Sequence, residues 1–175
     1  AKLSLATSKH SAIIKATFPA DDDLPHEHYD STPRIGVVMK SGEGHATTVA
    51  EDSEFKTVVI QGYSTANNGG IKNLGSFKNH FVIALYKGKN GDEAVRASDL
   101  STGNENDANY WAWADIRDKE ITMRVGTSLI SLDQAYLNLR REVGTQTIEQ
   151  LALESKSAWQ EQLARTLIKE VGGAY

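Results

Sequence analysis

"RVGTSLISLDQAYLNLRREVG", residues 124–144, changes its periodicity near its middle. Up to Leu129 apolar and polar residues alternate, which is typical of a β-strand. Ser131 is a favoured N-cap residue, and Gln134 three positions later completes the S-x-x-Q form of the capping box. Gly144 suits the left-handed position just past a helix C-terminus. Between these signals the apolar residues share one helical face, namely Leu132, Ala135, Tyr136, Leu139 and Val143. The stretch therefore predicts a strand followed at once by a helix.

A second helix is predicted directly after this one. Thr147 and Gln150 repeat the capping box. The residues that follow form another apolar stripe, at Ile148, Leu151, Ala152, Ala158, Trp159 and Leu163. We expect the two stripes to be covered on two sides, by the sheet and by a second partner, which would leave Leu151, Trp159, Leu163 or Leu167 partly bare in this chain.

The sequence before residue 131 has the pattern of a β-protein. Short β-like runs alternate with segments rich in Gly, Asn, Asp and Pro, such as STGNENDAN at residues 101–109, which we interpret as surface loops. The runs are residues 2–7, 12–18, 34–40, 45–50, 57–65, 80–88, 93–98, 110–116 and 120–130. The predicted fold class is mainly β, with an antiparallel β-sandwich domain over residues 1–130 and a helical segment over residues 131–175.

Composition excludes several classes of function. The chain has 175 residues, 39% of them hydrophobic, which is enough for one sizeable core. Its net charge is -4 without a dense Lys/Arg run, so we expect no nucleic-acid partner. No apolar run approaches the ~20 residues of a membrane span, and AKLSLATSKH at residues 1–10 lacks the apolar centre of a signal peptide. The absence of cysteine excludes a disulfide framework, a thiolate metal site and a cysteine nucleophile.

One segment has the composition of a metal site. DDDLPHEHYD holds seven donor residues within ten positions, namely Asp21, Asp22, Asp23, His26, Glu27, His28 and Asp30. Its proline interrupts any regular element that would fix ligand geometry, and a metal site needs preorganised ligands. We therefore interpret the segment as a solvated acidic loop, and no metal ligand is assigned.

Four residues are candidates for contact with sugars. Trp111 and Trp113 share one face of a predicted strand and would form an aromatic platform for sugar rings, although core packing is the favoured interpretation. Asn67 and Asn68 offer amide donors and acceptors for hydroxyl groups, but Asn-Asn-Gly-Gly is also good turn chemistry. His10 and His45 lie in or beside predicted strands without the paired Ser and Asp spacing that would indicate a hydrolase triad, and we interpret them as structural polar residues. We assign no catalytic residue.

The C-terminal half resembles a known family. The stretches ITMRVGTSLISLDQAYLNLRREV (121–143) and TIEQLALESKSAWQEQLARTLIKEV (147–171) are similar to the segment joining the two domains of family 92 glycoside hydrolases. KLSLATSKHSAIIKATFP (2–19) and VVIQGYSTANNGG (58–70) resemble upstream stretches of the same family. The match is carried by Arg124, Val125, Gly126, Ser128, Ile130, Ser131, Gln134, Ala135, Asn138, Leu139, Glu142, Ala158, Trp159 and Leu163.

The resemblance implies a fragment of an enzyme. Family members are mostly calcium-dependent exo-α-mannosidases, in which an N-terminal supersandwich-like β-domain and linker helices lead to an (α/α) barrel that supplies the acid, the base and the calcium ligands. The implied function is that of the noncatalytic N-terminal domain, inactive alone, with the absent barrel and glycans as partners and an extracellular or periplasmic location. No cofactor is implied in this chain. The exposed helices also predict a homodimer through residues 148–168.

Two further hypotheses remain open at this point. The chain is also consistent with a stand-alone carbohydrate-binding β-sandwich, which would need an exposed aromatic or amide-rich patch. It is equally consistent with an interaction or inhibitor module that uses its helices as the contact face.

Overall fold

The computed structural model describes residues 1–19, 34–39, 44–65, 77–105, 109–115 and 120–166. These residues contain ten strands and two α-helices, besides a single turn of 3-10 helix at Ala97–Asp99. The strands are β1 (Lys2–Thr7), β2 (Ser11–Thr17), β3 (Arg34–Met39), β4 (Gly44–Val49), β5 (Val59–Ser64), β6 (Asn79–Lys87), β7 (Glu93–Ala94), β8 (Leu100–Glu105), β9 (Asn109–Asp115) and β10 (Glu120–Ser128). The helices are α1 (Leu132–Glu142) and α2 (Ile148–Leu163).

The strands form two antiparallel sheets. The larger has seven strands in the order β1-β2-β10-β6-β5-β4, with the two-residue β7 paired to β6. The smaller has three strands in the order β3-β9-β8. Every described strand pair is antiparallel. The predicted mainly-β fold with two C-terminal helices is therefore confirmed.

Two local predictions are wrong. Residues 101–109 were expected to be a surface loop, yet Leu100–Glu105 forms β8 and pairs with β9 from Leu100↔Ala114 to Glu105↔Asn109. Residues 93–98 were expected to be a full strand, but only Glu93–Ala94 pairs, and the chain then turns into the 3-10 helix. In both cases strand formation depends on whether a partner strand offers backbone hydrogen bonds, and side-chain polarity does not report that.

Both helices begin where the sequence signals predicted, and α1 also ends where predicted. The Ser131 hydroxyl accepts from the Gln134 amide at 3.0 Å. Gln134 does not complete the capping box, however, because its side chain donates to Asn138 Oδ1 at 2.7 Å. At α2 both halves of the box are present, with Gln150 N 3.3 Å from Thr147 Oγ1 and Gln150 Oε1 2.9 Å from Thr147 N. Gly144 has φ +50° and follows the end of α1 as predicted.

Helix α1 lies against the larger sheet at a glycine. Its predicted apolar face is buried as expected, with Ala135, Leu139 and Val143 at most 1% exposed. A Cβ atom at Gly126 of β10 would lie 2.5 Å from the Ala135 carbonyl oxygen and 2.7 Å from Leu139 Cβ. Only glycine permits so close an approach between a strand and a helix. The helix face and the sheet together enclose one hydrophobic cluster.

The opposite face of the larger sheet carries a second cluster. It is formed by Ala16, Val58, Ile60, Leu85, Val95 and Ile121. Val37 of β3, in the smaller sheet, packs against this cluster. That contact supports the predicted sandwich, whose sheet-on-sheet packing stays a prediction, as does the domain division at residue 130.

Candidate functional site

A buried arginine joins the sheet to the turn between the helices. Arg124 of β10 is 8% exposed, and its guanidinium donates to the carbonyl of Gly144 at 2.6 Å and to that of Gly91 at 3.2 Å. It also lies over the Tyr86 ring, 4.6 Å from the centroid. Burial lowers the pKa of Arg124, and the nearby Tyr86 and Asp92 partly offset that effect. Arg124 therefore holds the β6–β7 turn and the α1–α2 turn to the same point of the sheet.

Asn138 and Ser128 fix the start of α1. Asn138 is buried and donates to the Thr127 carbonyl at 2.8 Å. The Ser128 hydroxyl accepts from the Ile130 amide at 3.0 Å, which shapes the turn between strand and helix. Together with Arg124 and Gly126, these residues position the helices on the sheet, which gives the stretch 124–144 a structural role.

A Ser–His–Glu cluster ties the β1–β2 turn to the end of α1. Ser8 Oγ lies 2.6 Å and the His10 amide nitrogen 2.8 Å from Glu142 Oε2, while His10 Nδ1 lies 2.7 Å from Glu142 Oε1. Burial alone would raise the pKa of Glu142, but the hydrogen bonds from Ser8 and His10 outweigh it and lower that pKa. Ser8 donates to the carboxylate and not to the histidine, so these three side chains are not arranged as a Ser–His–Asp triad. The cluster is a structural latch.

A second polar cluster lies on the other side of α1. The Tyr136 hydroxyl is 2.7 Å from Gln61 Oε1 and 3.1 Å from Asp52 Oδ2. Asp52 Oδ1 accepts from the amides of Glu54 and Phe55. Burial, and then the charge of Asp52, raises the pKa of Tyr136 strongly, so its phenol stays protonated. Asp52 thus connects a turn to helix α1.

A row of rings crosses β4, β5 and β6 on one face of the larger sheet. His45, Tyr63 and His80 are direct cross-strand partners, with ring centroids 6.3 and 6.1 Å apart. Lys78 Nζ lies 4.0 Å from the centroid of the Tyr63 ring. We call His45, Tyr63, His80 and Lys78 the ring row. The sequence did not predict the ring row, because its three rings come from three different strands. Only the register of those strands brings the rings together.

The predicted sugar-contact residues fall in different parts of the chain. Asn67 and Asn68 lie outside the described residues, as does the acidic segment 21–30. Trp111 and Trp113 lie in β9, where they pair with Val38 and Gly36 of β3 and with Gly103 and Ser101 of β8. Their role as a sugar platform stays a prediction.

The described residues contain no group of three or more His, Asp or Glu side chains arranged to hold a metal ion. Calcium takes six to eight oxygen ligands, so this part of the chain does not fit the calcium that the family resemblance implies for the parent enzyme. Among the described helices none is long and apolar enough to cross a bilayer.

The exposed apolar face of α2 is the clearest candidate contact surface. Leu151 is only 1% exposed because it packs into the cluster between α1 and the sheet, so the expectation that it would be bare is wrong. By contrast Leu153 is 68%, Trp159 64% and Leu163 66% exposed. Leu167 lies outside the described residues. From Lys156 to Thr166 every residue of the chain is exposed, so the second half of α2 extends beyond the sheet. We call Leu153, Trp159 and Leu163 the open face.

Comparison with known proteins gives a likeness of fold. No family model and no curated protein matches the sequence. The GH92 family glycosyl hydrolase ccman5 matches with a TM-score of 0.71 and 16% identity over 95% of this chain and 21% of its own. An inverting GH92 mannosidase from Bacteroides thetaiotaomicron gives 0.65 and 19% over 98% of this chain and 22% of its own. A GH92 α-mannosidase from the same bacterium gives 0.66 and 17%, covering 96% and 23%. The chain thus has the fold of one part of these proteins and spans about a fifth of their length.

Proposed function

We propose that this chain is a noncatalytic β-domain, with its linker helices, of a glycoside hydrolase that acts on α-mannosides of glycans. The observation that carries the proposal is the fold likeness to GH92 proteins, which extends over nearly all of this chain but about a fifth of theirs. The strand–helix motif that begins at Arg124 supports the proposal, because the Arg124 and Asn138 side chains hold the helices against the sheet.

The chemistry of glycoside hydrolysis supports a noncatalytic role. An inverting enzyme needs two carboxyl groups roughly 6.5–9.5 Å apart, on either side of one glycosidic bond. Two described carboxylates make contacts that hold the fold together: Asp52 holds a turn and Tyr136, and Glu142 holds Ser8 and His10. These structural contacts support a noncatalytic role for the domain.

The open face supports a docking role. A helix whose apolar residues are bare on one side needs a partner to cover them. We propose that the catalytic barrel of a longer parent chain covers the open face, and that this barrel holds the calcium. On the family resemblance, we also propose that the parent enzyme works outside the cytoplasm, in the periplasm or the extracellular space. In isolation the same face would favour a homodimer.

The experiment combines activity with identification of the parent chain. Homogeneous protein of this sequence is assayed on aryl α-mannosides with and without added calcium, and we expect no turnover. Intact mass and peptide mapping of the protein from its natural source should reveal a longer chain. Turnover that is lost on mutating a residue within this chain, or a natural protein that ends at Tyr175, would overturn the proposal.

Carbohydrate binding by the domain itself is a second candidate. The ring row favours it, because a half-exposed tyrosine beside two imidazoles and a lysine resembles the surfaces that sugars contact. A glycan array with the wild type and with Tyr63→Ala, Trp111→Ala and Asn68→Ala variants tests it. No binding by the wild type would remove this candidate, whereas binding that survives all three substitutions would exclude these side chains as the site.

A further inference from the structure

A polar cavity lies at the N-terminus of α2, outside the surfaces discussed above. It has a volume of about 230 Å³ and is bounded by β2, β10, the turn after β6 and the first turn of α2. Its floor consists of the buried Ile13, Thr122 and Arg124. Its rim consists of exposed residues, namely Lys89, Asn90, Thr147 and Glu149. The cavity therefore has a fixed floor and a mouth open to solvent.

The cavity lining collects unpartnered polar atoms. Within the described part of the chain four buried side-chain atoms lack a hydrogen-bond partner, and three belong to this lining: Arg124 Nε, Glu120 Oε2 and Gln146 Oε1. Glu120 Oε2 has an ion-pair contact with Lys15 Nζ at 3.4 Å, but not a hydrogen bond. The other half of the Gln146 amide donates to Glu154 at 3.0 Å, which fixes its orientation. Buried groups of this kind are normally satisfied by protein, water or ligand.

The charges of the lining argue against a charged ligand. Lys15 donates to the Lys89 carbonyl and pairs with Glu120, and the Arg124 guanidinium is held by two carbonyls. With Lys89 the lining holds three cations against the two carboxylates of Glu120 and Glu149. The one excess positive charge belongs to the exposed Lys89 at the rim, where solvent and salt screen it. Arg124 Nε–H is a donor without a hydrogen-bond partner, and Glu120 Oε2 and Gln146 Oε1 are two such acceptors. This set is complementary to hydroxyl groups, each of which can both donate and accept a hydrogen bond.

We propose that this cavity binds a neutral polyhydroxylated molecule of about monosaccharide size. Its volume is somewhat below that of sites for drug-sized ligands, roughly 300–1,000 Å³, and accommodates a single sugar ring or a smaller polyol. The site shares no residue with the ring row or the open face; it lies at the first turn of α2, whereas the open face lies further along that helix. It does not depend on whether the parent protein is a mannosidase, so it stands or falls separately from the proposed function.

Two-dimensional ¹H–¹⁵N NMR tests the proposal directly, because the Arg124 Nε–H and the Gln146 side-chain amide give their own signals. The protein is titrated with D-mannose, D-glucose and glycerol, with an oligosaccharide ending in mannose, and with sodium phosphate as an anionic probe. We expect a saturable shift of both signals with a hexose, in the millimolar range. Binding of the oligosaccharide as well would identify a glycan terminus as the source, and binding of the free hexose alone a free sugar.

Two variants and one control make the result specific. Gln146→Leu removes one open acceptor, and the nearly isosteric Glu120→Gln changes the other without altering the packing. Each should weaken hexose binding about tenfold, the usual effect of one lost buried hydrogen bond. Gln162→Leu, on the exposed part of α2, should bind as the wild type does. The proposal is overturned if the two signals do not move, which would mean that the cavity holds water only. It is also overturned if the signals respond to phosphate and not to a hexose, or if all three variants bind alike.

Discussion

Replacing Gly126 by alanine tests whether α1 is packed directly on β10. The added Cβ would lie 2.5 Å from the Ala135 carbonyl oxygen, 2.7 Å from Leu139 Cβ and 3.1 Å from the Leu139 nitrogen. Two of these atoms belong to the helix backbone, so no side-chain rotation relieves the clash. The helix has to move away from the sheet by about half an ångström or more, which loosens the buried contacts of Ala135 and Leu139.

The magnitude follows from two opposing terms. Overpacking of a well-filled core costs about 1–3 kcal/mol. Alanine also restricts the unfolded chain, which returns about 0.4–1 kcal/mol. We expect a net loss of about 1–2 kcal/mol in the free energy of unfolding, or roughly 2–8 °C in melting temperature for a chain of this size.

The measurement is urea unfolding followed by circular dichroism and tryptophan fluorescence. Gly36→Ala is the matched control, because Gly36 is exposed in β3 and is not among the glycines with positive φ. The control should be neutral or slightly stabilised, since only the unfolded-state term acts there. If Gly126→Ala unfolds at the same urea concentration as Gly36→Ala, the close packing of helix and strand is refuted.

Three further predictions concern the latch and α2. The pKa of Glu142 is lowered in the folded state, so the stabilising effect of its carboxylate is present above the unfolded pKa and is lost as the pH falls through the folded pKa. The difference in the free energy of unfolding between wild type and Glu142→Gln should therefore shrink on acidification from pH ~7 to ~3. A constant difference would contradict this prediction. Leu151→Ala should lower the free energy of unfolding by about 2–5 kcal/mol, because the Leu151 side chain is buried. Trp159→Ala should change it by less than about 0.5 kcal/mol and should abolish self-association in sedimentation. Equal effects of the two substitutions on stability would refute the distinction. Thr147→Ala should lower stability by about 1 kcal/mol through loss of the capping box, with Thr166→Ala beyond the helix as control.

Local signals in the sequence were sufficient to predict both helices. Ser131, Thr147 and Gly144 act on backbone groups within one turn of their own position, so their effect is written in neighbouring residues. The apolar face of α1 was also predicted from the sequence, because apolar residues spaced 3.6 positions apart lie on one side of a helix regardless of what that side packs against. The alternative use of the Gln134 side chain was not readable, since Asn138 competes for it.

Strand pairing shows where local reading fails. The polar run at residues 101–105 has the composition of a loop, and it becomes part of β8 only because β9 satisfies its backbone groups. The ring row has the same origin, since His45, Tyr63 and His80 meet only when three strands align in one register. The candidate residues Asn67, Asn68, Trp111 and Trp113 remain predictions that rest on residue type.

The sequence by itself determined the fold class, the order of sheet and helices, the starts of both helices and the end of α1, because periodicity and capping are properties of adjacent residues. Only the tertiary structure decided which apolar residues of α2 are covered: the sheet reaches Leu151 but ends before Trp159 and Leu163. It also brought Glu142 to Ser8 and His10, and Arg124 between two distant turns. Such contacts join residues far apart in the chain, and whether they form depends on the extent and register of a sheet assembled from the whole chain.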